Sequence, residues 1–79
     1  MPNDNPEVDT FSLLLSVNDK PHRIASTATL LQLLDELALA STKGLAVAIN
    51  DGVVSRSHWP VQRLTDGDRV LIIQATQGG

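Results

Sequence analysis

Residues 11–37, FSLLLSVNDKPHRIASTATLLQLLDEL, decide the fold. Phe11, Leu13, Leu15 and Val17 fall on one face of an extended strand and Ser12 and Ser16 on the other, the period-two alternation of a half-buried strand. Asn18-Asp19 supplies two residues that tolerate positive φ, and after Lys20-Pro21 the short run His22-Arg23-Ile24-Ala25 completes a hairpin. Pro21 cannot donate to a ladder, so the return strand belongs at a sheet edge. Thr29-Leu30-Leu31-Gln32 then has the form of a capping box, in which the Thr hydroxyl and the Gln side chain satisfy each other's free amides. Leu30, Leu33, Leu34 and Leu37 form one apolar stripe at helical spacing, widened by Leu31 and Leu39, with Gln32, Asp35 and Glu36 opposite. The pattern predicts a helix running to about Ala40, with Gly44 stopping it or turning the chain.

Downstream, Leu45-Ala46-Val47-Ala48-Ile49 reads as a strand, Asn50-Asp51-Gly52 as a turn, and Val53-Val54 as renewed extended structure. Residues 56–64 are irregular, with Pro60 pushing Trp59 away from the helical basin. Asp66-Gly67-Asp68 turns the chain into residues 69–75, where Val70-Leu71-Ile72-Ile73 is apolar without alternation. Such a run is covered on both faces, or covered on one and left apolar on the other. The order is hairpin, helix, strand, strand, loop, strand. It resembles the α+β β-grasp arrangement of ubiquitin-like proteins: one main helix across a mixed sheet of four to five strands, with the first and last strands central and adjacent.

Seventy-nine residues leave room for one small domain and little surface for a deep cleft. A hydrophobic fraction of 42% supports a core, and 3% aromatic content makes that core aliphatic, with Phe11 and Trp59 as its only rings. The absence of cysteine removes disulfides, thiolate nucleophiles and zinc ribbons, and fits a cytoplasmic address. The formal charge of -3 is carried by the front of the chain. Asp4, Glu7 and Asp9 are three of the nine acids, so the remainder sets six acids against six basic residues. Residues 1–10, with Pro2, Pro6 and one sizeable apolar group, read as a disordered acidic tail; residues 11–75 form the domain, and residues 76–79 a flexible tail. The charge argues against nucleic acid, and no apolar run reaches the roughly 18 residues of a membrane span.

Internal catalytic constellations fail one after another. His22 and His58 lack the spacing of a metal pair, and Ser57 and His58, adjacent on extended backbone, point to opposite faces. Asp35-Glu36 reads as a solvated helix face and Asp66/Asp68 as a turn, while single glycines at 44, 52 and 67 do not compose a phosphate loop. No metal and no cofactor are expected. What remains is the chain end, Thr76-Gln77-Gly78-Gly79. At roughly 7% glycine usage, two terminal glycines arise by chance in about one chain in 200. A frayed or truncated end stands beside a functional one. The functional reading has a specific basis: without Cβ atoms, Gly78-Gly79 can lie extended in a narrow groove and bring a carboxylate to a reactive centre. A free carboxylate resists attack, but an acyl-adenylate carries a good leaving group, and sulfur attack on it leaves a thiocarboxylate. Such a carrier needs no pocket, because its partners hold ATP and supply the electrostatics.

Val17-Asn18, the leucine-striped helix, Val47-Ala48-Ile49-Asn50, Val54, Arg56, Trp59, Leu64, Asp66-Gly67-Asp68 and Gly78-Gly79 occur here in order. In this combination the sequence resembles the ThiS family of sulfur carriers in thiamine biosynthesis, across residues 11–79. The resemblance implies that a ThiF-like adenylyltransferase adenylates the Gly79 carboxylate. A sulfur-donor protein then supplies the thiocarboxylate sulfur, which passes to a ThiG-like thiazole synthase, with Gln77 and Gly78 lying in the partner's channel. The acidic front tail and Thr76-Gln77 depart from the compact family pattern. A MoaD-like carrier for molybdopterin or other sulfur metabolism, a ubiquitin-like protein modifier and a plain interaction module are the competing readings.

Four residues are candidates for a partner surface: Arg56, Trp59, Leu71 and Ile73. Trp59 either braces the loop or touches a partner, or else plugs the edge of the core. Arg56 pairs locally with Asp51 or Asp66, or presents its charge to the activating enzyme. Leu71 and Ile73 belong either to an exposed apolar face or to the core.

Overall fold

The computed structural model describes residues 12–75. Within them lie β1 (Ser12–Val17), β2 (Lys20–Ala25), α1 (Leu30–Glu36), β3 (Leu45–Ile49), β4 (Gly52–Val54), a short 3-10 turn (Arg56–His58) and β5 (Arg69–Gln74). The sheet order is β2-β1-β5-β3-β4, parallel between β1 and β5 and antiparallel elsewhere. This is the β-grasp order expected from the sequence. The first and last strands are adjacent, and Pro21 sits on edge strand β2, opposite Ser16. Phe11, residues 1–10 and residues 76–79 fall outside the described residues.

Both hairpins are closed by Asn-Asp pairs with positive φ, 51° and 70° at Asn18 and Asp19 and 50° and 73° at Asn50 and Asp51. Two successive residues at positive φ are what a type I′ turn requires, and its twist matches that of the strands it joins. Register follows: Val17 pairs with Lys20, and Ile49 with Gly52.

Thr29 caps α1 through the expected box: the Gln32 amide donates to Thr29 Oγ1 at 3.3 Å, and the Thr29 amide donates to Gln32 Oε1 at 2.8 Å. The remaining first-turn amides are satisfied from residues 56–64, with Leu30 N donating to Gln62 O at 2.9 Å and Leu31 N to Trp59 O at 3.1 Å. This loop, expected to be irregular and extended, instead opens with the 3-10 turn Arg56–His58. It keeps Trp59 in the right-handed helical basin at φ -54° and ψ -39° despite Pro60, because its carbonyls serve as the seat of the helix N-terminus. Leu30, Leu33 and Leu34 are buried in one cluster with Leu15, Ile24, Val47, Trp59, Leu64 and Val70. Burial of each such aliphatic side chain contributes about 1.5–3 kcal/mol.

The helix ends at Glu36, not near Ala40. Ala38 adopts φ 62°, its amide donates to Asp35 O at 3.0 Å, and the Leu39 amide donates to Leu34 O at 2.7 Å. These two bonds make a Schellman stop at a position where the sequence carries no glycine. Leu39 still packs against the core, but from beyond the helix. Gly44, at φ 72°, turns the chain into β3 instead of stopping the helix. Ala38 is exposed, so Ala38→Gly removes left-handed strain without removing a buried methyl. A gain of about 0.5–1 kcal/mol is expected after the added unfolded-state entropy, read as a higher urea midpoint at unchanged slope.

Candidate functional site

The apolar run of β5 is resolved by its neighbours. Val70 pairs with Ile49 and Ile72 with Val47, and both side chains join the core side, beneath α1. Leu71 and Ile73 alternate to the opposite face and are 48% and 55% exposed. Leu71 lies beside Ala48, which pairs in turn with Val53, 81% exposed, and Ile73 lies beside Ala46. Residues directly opposite on neighbouring strands share a face, so these five make a continuous apolar stripe across β4, β3 and β5. Arg69, on the same face of β5, borders it and pairs with Asp51 at 3.0 Å. That pair is exposed and contributes little to stability.

The strand bearing Leu71 and Ile73 also leads to the chain end. Its last described pairing is the Ala75 amide donating to Gly44 O at 2.8 Å. Four residues follow, and an extended four-residue chain reaches at most about 14 Å. Gln77, Gly78 and Gly79 themselves lie outside the described residues.

The other two candidates are placed differently. Trp59 is 1% exposed and donates its indole Nε1–H to Val54 O at 3.1 Å. It plugs the core and does not form part of a partner surface, because the loop folds its ring inward beneath the start of α1. Arg56 is exposed, but its local partners are neither Asp51 nor Asp66. Its guanidinium lies over the Trp59 ring at 4.5 Å and donates to Ala40 O at 3.2 Å and Thr42 O at 2.6 Å. Free backbone carbonyls after the early helix stop supply what the acids were expected to supply. Asp51 is engaged by Arg69, and Asp66 Oδ1 accepts from the Leu14 amide at 2.8 Å.

Asp66-Gly67-Asp68 does more than turn the chain. Gly67 N donates to Leu14 O at 2.8 Å, prolonging the contact with β1. Asp68, 9% exposed, accepts from Thr65 N at 2.8 Å and from Asn50 Nδ2 at 2.9 Å. His22 meets Glu36 Oε1 at 3.1 Å and ties β2 to the last turn of α1. Among the described residues no group of three His, Cys, Asp or Glu side chains is placed to hold a metal, and no helix is long and apolar enough to cross a membrane.

A five-stranded mixed sheet in the order β2-β1-β5-β3-β4 with one helix packed on it and an exposed apolar stripe on its other face defines a β-grasp, ubiquitin-like module. Residues 15–79 match the ThiS family model, and the chain belongs to the ThiS family. It is 36% identical over 62 residues to the sulfur carrier protein ThiS of Escherichia coli (strain K12), covering 78% of this chain and 92% of that protein. The crystal structure of thiamine biosynthesis protein ThiS from Geobacter metallireducens superposes with a TM-score of 0.72 at 29% identity, covering 85% of this chain and all of that one (100%). A solution NMR structure of a thiamine biosynthesis protein from the same organism gives a TM-score of 0.69 at 29% identity, over 85% of this chain and 88% of that one.

Proposed function

We propose that this chain is a sulfur carrier in thiamine biosynthesis, a substrate of enzymes and not an enzyme itself, acting in the cytoplasm. Membership of the ThiS family is the observation that carries the reading. The Gly79 carboxylate attacks the α-phosphate of ATP on a ThiF-like adenylyltransferase, releasing pyrophosphate and forming an acyl-adenylate. Sulfur from a donor protein then displaces AMP, and the thiocarboxylate passes its sulfur to a ThiG-like thiazole synthase. Gly78 and Gln77 occupy the partner's channel, where the missing Cβ of Gly78 permits close approach.

Intact mass tests this directly. Incubation with the adenylyltransferase, ATP and the sulfur donor is expected to raise the mass by the difference between sulfur and oxygen, and addition of thiazole synthase with its other substrates is expected to reverse the shift. An unchanged mass overturns the carrier reading. A shift that thiazole synthase cannot reverse moves the chain to another sulfur pathway.

The stripe of Leu71 and Ile73 is the proposed docking surface for the adenylyltransferase. Leu71→Glu is expected to weaken that complex at least about tenfold by titration calorimetry, since a charge at the centre of an apolar contact is left without solvent. The thermal midpoint should stay near that of the parent, because the side chain is half exposed in the free protein.

A further inference from the structure

The parallel ladder between β1 and β5 is short, pairing Ser16 with Arg69 and Val17 with Val70 before β1 turns away at Asn18. Among the described residues no strand bonds to the β1 side of β5 from Ile72 onward, in the segment that leads to the chain end. Asn18 fills the gap. Its main-chain N–H donates to Val70 O at 2.9 Å, its side-chain Nδ2 donates to Ile72 O at 3.1 Å, and its Oδ1 accepts from Ile72 N–H at 2.7 Å. The primary amide presents one donor and one acceptor side by side, as a neighbouring strand would.

The other border of β5 repeats the device. Asn50 donates its N–H to Arg69 O at 2.8 Å and accepts from Arg69 N–H through Oδ1 at 2.9 Å, while its Nδ2 holds Asp68. Both asparagines are the first residue of an Asn-Asp turn, at φ 51° and 50°. The same backbone conformation thus brings an amide against β5 from each side, one at the start of the strand and one at its middle.

We propose that Asn18 is a positioning residue for the reacting chain end. Its amide clamp holds β5 at Ile72 from the side that β1 has left, opposite the β3-side pairing that continues to Gln74 and Ala75, and the two together set the direction in which the chain leaves the sheet toward a docked enzyme. The role rests on the carrier reading. Asn18 touches no reacting atom; it acts through the backbone of Ile72.

The rival explanation is that asparagine is present only because it tolerates left-handed backbone. Asn18→Gly separates the two, because glycine adopts that φ at least as readily but carries no amide. The clamp predicts that exchange of the Ile72 amide speeds up at least about tenfold while the Val47 amide in β3 keeps its rate. It also predicts that kcat for pyrophosphate release by the adenylyltransferase falls at least about tenfold with KM within about twofold, since the docking stripe is intact and only the delivery of the carboxylate has changed. Unchanged Ile72 exchange overturns the clamp. Faster exchange with unchanged kcat overturns the positioning role. Should Asn18→Gly fail to fold, Asn18→Asp takes its place, since it keeps the acceptor for Ile72 N–H but sets a carboxylate oxygen against Ile72 O where the donor was; a parental kcat in that variant overturns the positioning role, and a fall of at least about threefold at unchanged KM supports it. If the parent chain itself releases no pyrophosphate, the carrier reading fails and the positioning role with it, while the exchange measurement still reports on the clamp alone.

Discussion

A chain lacking Gly79 is expected to take no adenylate and gain no sulfur, yet to melt where the full-length chain melts. The first half follows from the chemistry proposed for the terminus. Deletion shortens an extended chain by about 3.5 Å, so the new carboxylate of Gly78 stops that far short of the ATP α-phosphate, and in-line attack has no tolerance for such a gap. A loss of at least about a thousandfold in pyrophosphate release is the expected size. The second half follows from where the stability resides. Among the described residues every fully buried core side chain lies between Leu15 and Val70, and the last pairing bond of β5 is made by Ala75. Gly79 is four residues further on, so a change of less than about 2 °C is expected by calorimetry. Retained adenylation in the deleted chain would remove the terminal carboxylate from the mechanism. A large drop in melting temperature would make the chain end part of the fold.

Trp59→Ala is expected to have the largest effect on stability, a loss of about 3–5 kcal/mol. A domain of this size holds only roughly 4–12 kcal/mol in total, so the variant should lose a large fraction of its stability and unfold at a much lower urea concentration than the parent. Three contributions are lost together. The ring is 1% exposed and sits in the cluster with Leu30, Leu33 and Val70, so its removal leaves a cavity. Val54 O loses the indole donor, and the Arg56 guanidinium loses the ring it covers at 4.5 Å. Trp59→Phe keeps most of the ring and forgoes the hydrogen bond, so a loss of about 1–2 kcal/mol is expected. Far-UV circular dichroism in urea measures both, since the substitution removes the fluorophore. A loss below about 1 kcal/mol for Trp59→Ala would show that the ring is not a core residue and would reopen a surface role for it.

The loop bearing Trp59 connects a core residue to the exposed face of β5. It seats the N-terminus of α1 through Trp59 O and Gln62 O, and α1 in turn covers Val70 on the inner face of β5. Leu71 and Ile73 are left on the outer face because Val70 and Ile72 are claimed by the core. The exposed apolar stripe is thus a consequence of which side of β5 the helix packs against.

Local signals were sufficient for most of the architecture. Alternation over residues 11–17, the Asn-Asp turns, the Thr29 capping box and Pro21 each act within a few residues, and each produced the element it predicts over the described residues. The family resemblance was likewise legible, since it rests on residue types at fixed spacing. Other features depended on groups distant in sequence. The stop at Ala38 was hidden because alanine gives no sign of left-handed backbone; the helix ends there where Leu39 can reach the core from outside the helical stripe. Arg56 took carbonyls 14 and 16 residues away, and Asn18 clamps a strand residue 54 positions distant. An unbroken run such as Val70-Leu71-Ile72-Ile73 has no periodicity from which to tell its inner face from its outer one. By itself the sequence determined the strands, the turns, the start of the helix and the family, because those are set by short-range sterics and hydrogen bonding. Only the tertiary structure decided which apolar residues of β5 remain exposed, that Trp59 is interior, and that two turn asparagines border the strand leading to the chain end, because each is fixed by what packs opposite and not by what comes next.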